Sequence, residues 1–92
     1  MRTITGTRHK TIILTANEIT KFNYSNPVAL DIYNASDKDI WISADNNITA
    51  TIDSEDCLLL PADGGAYNGL RTMSFTCVSA DAATIVVVQR GW

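Results

Sequence analysis

Apolar positions recur at every second residue through much of this chain, in runs too short for a helix. Ile12 and Leu14 fall on one face of a segment from Lys10 to Ala16. Residues 19–24 set Thr20, Phe22 and Tyr24 against Ile19, Lys21 and Asn23. Val28, Leu30 and Ile32 alternate with Ala29, Asp31 and Tyr33, and Ile40 and Ile42 flank Trp41. A period of two belongs to a strand with one buried face, because successive side chains point to opposite sides of the backbone. No stretch carries the i, i+3, i+4, i+7 stripe of an amphipathic helix.

Turn-forming residues divide these runs. Asn17-Glu18, Ser25-Asn26-Pro27, residues 35–39, Asp45-Asn46-Asn47, Asp53-Ser54-Glu55, Pro61–Gly65 and residues 79–82 all read as breaks. Between them lie about eight short strands: 10–16, 19–24, 28–34, 39–44, 48–52, 56–60, 72–78 and 83–89. Segments 28–34 and 39–44 read as a hairpin, and residues 66–71 as a connection holding Tyr67 and Leu70. Three consecutive leucines at 58–60 imply burial on both faces or a sheet corner. Met73, Phe75 and Cys77 share one face of their strand, opposite Ser74 and Thr76. Residues 1–9 read as an irregular arm. Strands spaced this closely leave no room for parallel crossovers. The expected fold is all-β, an antiparallel β-sandwich of jelly-roll-like type, one domain over residues 10–92.

Composition strengthens this reading. Ile, Val and Thr make up 26 of 92 residues, and branched side chains favour the pleated surface. Charged residues are only 18%, with a net charge of −3, so the chain is too apolar for disorder and too acidic for a nucleic-acid footprint. No apolar run is long enough to span a membrane as a helix. Positive charges near the N-terminus are not followed by an apolar core, so no secretion signal is read there. Without that route, Cys57 and Cys77 are expected as reduced, buried thiols in strands, and three Asn-x-Ser/Thr triplets as composition.

Catalytic chemistry finds little purchase. A nucleophile needs a base beside it and a third group to orient the base. The one histidine, His9, stands between Arg8 and Lys10 in the expected arm. The carboxylates Asp37, Asp39, Asp53, Glu55 and Asp56 fall in turns, where Asp commonly caps its own backbone. Asp45, Asn46, Asn47 and Asp53 do not match an EF-hand loop. Gly64-Gly65 lacks the Lys-Ser/Thr of a phosphate loop. The expectation is a protein that is not an enzyme and takes no cofactor or metal.

The aromatics say more. Tyr33 and Trp41 are expected on outward faces of neighbouring strands. There they form a platform for stacking a sugar, are covered by another subunit, or lie under a second sheet or loop. Tyr67 is a further stacking candidate. The last strand is apolar on both faces, Ile85 and Val87 against Val86 and Val88, so it is central in a sheet or lies at a subunit interface. Trp92 adds an apolar group at the C-terminus. Together these features point to a homo-oligomer.

Several turns carry a resemblance. Ile32-Tyr-Asn-Ala-Ser36, Ile40-Trp-Ile42, Leu60-Pro-Ala-Asp-Gly-Gly65, Leu70 and the Val-rich end at 83–89 together resemble a pattern in small virion proteins of tailed bacteriophages. Asp63, inserted within the turn, departs from that pattern. The resemblance implies a jelly-roll-like unit that works by assembly, often as a trimer, in a head decoration, head fibre, spike or tail accessory role. It places the chain in the virion, made in a bacterial host's cytoplasm. The charge split adds an expectation. Arg2, Arg8 and Lys10 precede every acidic residue in the chain, so the arm is read as anchoring the domain to other, acidic virion proteins.

Overall fold

The computed structural model describes residues 7–45, 48–53 and 55–90, without the side chains of Thr7, Arg8 and Ser25. Their backbone forms six strands: β1 (Thr7–Leu14), β2 (Thr20–Asn34), β3 (Ile40–Ser43), β4 (Leu58–Leu60), β5 (Ala66–Val78) and β6 (Ala83–Arg90). All pairings are antiparallel. They make one sheet in the order β1-β6-β2-β5-β3-β4. Only β3 and β4 are neighbours both in sequence and in the sheet. The all-β antiparallel architecture is the one the alternation implied.

The two long strands shape the sheet. Residues 20–23 of β2 pair with 74–77 of β5, and residues 28–33 pair with 66–72. Between these stretches, residues 24–27 of β2 stand opposite Met73 alone. So large a bulge bends the ribbon, as extra residues on one strand must. Pro27 fits there because an unpaired position needs no N–H. Beyond the bend the partners differ. The 28–34 half of β2 pairs with β6, which carries β1. The 74–78 half of β5 pairs with β3, which carries β4. Residues 25–27 are therefore not the expected turn between two strands: the chain runs on as one strand, and the bulge absorbs the proline.

The sheet curls over one core. Neighbouring strands lie about 4.8 Å apart, so β2 and β4, three places apart, would stand about 14 Å apart in a flat sheet. Yet Asn34 on β2 donates from Nδ2 to the Leu60 carbonyl on β4 at 2.9 Å. Leu14 is fully buried although β1 is an edge strand. Both observations require one half of the sheet to cover the other. Leu30, Ile32, Ile85 and Val87 from one half and Ile40, Ile42, Leu60, Phe75 and Cys77 from the other join a single buried cluster. Phe22 and Phe75, cross-strand partners, stack at 4.5 Å between ring centroids.

Five other expectations are corrected. Residues 28–34 and 39–44 do not pair, because β5 lies between β2 and β3. Residues 66–71 are strand, since they complete the ribbon with β2. Residues 48–52 are not a strand. Their backbone N–H groups go elsewhere: Ile48 to the Asp45 carbonyl, Ala50 to Thr76 Oγ1 and Thr51 to Cys57 Sγ. Leu58 and Leu59 are exposed because β4 is an edge strand, and only Leu60 is buried. Residues 7–9 belong to β1, paired with Val88 to Arg90, so the expected arm is strand at least from Thr7.

Candidate functional site

Three places hold the residues singled out by the sequence. The first is the outer face of the β1-β6-β2 half. The register aligns Thr11, Val86, Tyr33 and Ala66 in one row, and His9, Val88 and Asp31 in the next. Tyr33, Val86 and Val88 are thus brought together, each half-buried. β6 is central in the sheet, flanked by β1 and β2. At the rim of this face Ile13 is 75% exposed.

Asp31 points outward, as alternation has it, yet it is buried. Its Oδ1 accepts from the Gly69 N–H at 2.8 Å, and its Oδ2 pairs with Arg90 Nε. A bulge creates the first partner: Asn68 and Gly69 of β5 stand opposite Asp31 alone. Gly69 takes a φ of 77°, which favours glycine. The sequence offers no signal for this bond beyond Gly69 itself.

The second place surrounds Trp41. On β3 it pairs with Leu59 and Val78, pointing away from the core-facing Ile40 and Ile42. Tyr33 is not beside it, because β5 separates their strands and the two sit on different halves of the curled sheet. The paired platform of Tyr33 and Trp41 therefore does not exist. A loop partly covers Trp41 instead. Residues 48–53 are pinned over this face by the Ala50 N–H on Thr76 Oγ1 at 2.8 Å and by Ser43 Oγ on the Ile48 carbonyl at 3.0 Å. Trp41 and Ile52 then line an open cleft of about 330 Å³ together with Asp37, Asp39, Asp53 and Asp81. One positive group, Lys38, stands among these carboxylates.

The third place holds Tyr67, exposed on β5 opposite Ile32. It lines an apolar cleft of about 260 Å³ with Ile48, Leu58 and Leu70. Lys10 sits on the exposed edge strand β1, near Tyr24, whose hydroxyl pKa is pushed up by burial. The backbone of Arg8 pairs with Gln89, while Arg2 and Trp92 lie outside the described residues.

Two turn segments, residues 34–39 and 60–65, meet in one knot. Asn34, almost fully buried, donates to the carbonyls of Lys38, Leu60 and Pro61 at 2.6, 2.9 and 3.1 Å. Its Oδ1 accepts from the N–H and hydroxyl of Ser36. The Ala62 N–H donates to Asp39 Oδ1 at 2.9 Å, and the Asp63 N–H to the Ser36 carbonyl at 2.8 Å. A Cβ on Gly65 would stand 2.4 Å from the Pro61 oxygen, so the turn closes only on glycine. These residues hold the two halves of the sheet together.

Both cysteines are free. Cys77 is buried, and its thiol is pushed up to about 12 by loss of solvent. Cys57 is half-buried in the loop ahead of β4, not in a strand. Among the described residues no group of three or more His, Cys, Asp or Glu side chains is placed to hold a metal ion. The chain matches no protein-family model, no curated protein and no solved structure.

Proposed function

We propose that the chain is a non-enzymatic structural module that acts by assembling with copies of itself, as a component of a tailed-phage virion. The observation that carries this reading is the open sheet. Among the described residues β1 pairs only with β6 and β4 only with β3, so each leaves one side of its backbone without a strand. Both edges also expose large aliphatic groups: Ile13 at 75%, Leu58 at 42% and Leu59 at 38%. Unpaired strand edges are templates for another chain, and apolar groups along them strengthen that tendency. The motifs of the Asn34 knot support the virion part of the reading, and the stoichiometry proposed with it is a trimer. The basic N-terminal segment then meets an acidic neighbour in the particle. Light scattering after size exclusion at two concentrations tests the assembly. A stable mass near three times 10.0 kDa supports it, and a monomer at high concentration overturns it.

A second reading is favoured by the cleft at Trp41. An indole face beside carboxylates suits a sugar ring, which stacks its apolar face and donates its hydroxyls to the carboxylates. In this reading the chain is a carbohydrate-binding module, and the ligand contacts Trp41 without Tyr33. Binding on a glycan array that is lost in Trp41→Ala and kept in Tyr33→Ala supports it. Equal loss in both variants, or no binding by the wild type, removes it.

A further inference from the structure

The two open edges of the sheet differ in charge as well as in position. Up to residue 17 the chain holds Arg2, Arg8, His9 and Lys10 and no acidic residue. From Asp39 to Leu70 it holds Asp39, Asp45, Asp53, Glu55, Asp56 and Asp63 and no lysine or arginine. The first segment contains the whole of β1, and the second the whole of β3 and β4. The sheet order puts β1 at one end and β4 at the other. One edge is therefore basic and the opposite edge is flanked by acids, Glu55 and Asp53 being exposed just ahead of β4.

We infer that β1 of one copy docks against β4 of the next, so that the assembly is head-to-tail. This rests on the assembly reading and deepens it. Like edges carry like charge, and two β1 edges or two β4 edges brought together repel, whereas β1 against β4 attracts. The apolar groups match in the same sense, Ile13 on one edge meeting Leu59 on the other. Because β4 has only three residues, the backbone pairing is short, and charge and apolar contact supply the rest. A head-to-tail contact is heterologous: it closes into a ring when the rotation between copies allows, and otherwise grows as a filament. A trimer is the ring that the virion resemblance implies.

Charge reversal on the full chain tests this by sedimentation velocity at low salt. The β1 variant is Arg8→Glu with Lys10→Glu. The β4 variant is Asp53→Asn with Glu55→Lys, asparagine tolerating the positive φ at 53. Each variant alone is expected to raise the dissociation constant at least about tenfold. The inference is overturned if either variant alone keeps the wild-type mass. The single changes Lys10→Glu and Glu55→Lys serve the same test where a double variant melts early. A wild type that is itself monomeric overturns the assembly reading. A wild-type oligomer indifferent to both reversals overturns only the head-to-tail contact.

Discussion

Asn34 shows how much one side chain can hold. Its amide joins β2 to the turn at Lys38 and to the end of β4, and its oxygen fixes Ser36. Asn34→Ala leaves three carbonyls with a partner fewer in a buried place. It is expected to cost about 3 kcal/mol, read as a lower urea midpoint at unchanged slope. Gly65→Ala forces a Cβ into the Pro61 carbonyl and is expected to cost about 2 kcal/mol by the same measurement. Cys77 gives a pH signature. Its folded thiol pKa lies above that of the unfolded chain, so its contribution is full below about pH 8.5 and is lost as the pH rises toward 12. The wild type is therefore expected to lose stability from about pH 9 upward more steeply than Cys77→Ala, in urea titrations across that range. Tyr24, also raised by burial, adds to the slope in both proteins. The Asn34 knot was visible in the sequence only as turn chemistry. Two of its partners, Leu60 and Pro61, lie 26 and 27 residues away, and alternation says nothing about contacts at that separation.

At the scale of elements, alternation read the faces well and the pairings poorly. Leu30 and Ile32 share one face as alternation implies, as do Phe75 and Cys77, and Ile85 and Val87, and in each case that face is the buried one. Sharing a face depends only on local geometry. Segments 28–34 and 39–44, adjacent in sequence, are not adjacent in the sheet, because the long ribbon of β2 and β5 takes the inner places. Trp41 and Tyr33 are kept apart for the same reason. Pro27 signals a turn because a proline removes a donor, but the bulge at 24–27 has no need of one. The faces of β6 yield a direct test. Ile85→Ala is expected to cost about 3 kcal/mol and Val86→Thr less than about 0.5 kcal/mol, as chemical denaturation will report. Removal of residues 1–9 cuts three residues from the β1–β6 ladder, so that truncation is expected to lower the melting temperature by several degrees as well as remove Arg2 and Arg8.

Among the described residues the molecule is one sheet curled over a single core, with an unpaired edge at each end. That combination was half legible. The fold class follows from branched residues, short runs and frequent turns. The curl does not, because it depends on where two strands run long enough to serve both halves. In the sequence the expectation of an oligomer rests on Ile85–Val88, Trp41 and Trp92. The structure moves the weight of the argument to β1 and β4, since β6 is central and Trp41 lies partly under a loop. The central claim is that further copies complete these two edges. Hydrogen exchange at a low and a high protein concentration tests it most directly. The account predicts that amides of β1 and β4 gain protection as concentration rises, while those of β2, β5 and β6 stay unchanged. Fast exchange along both edges at every concentration would contradict it.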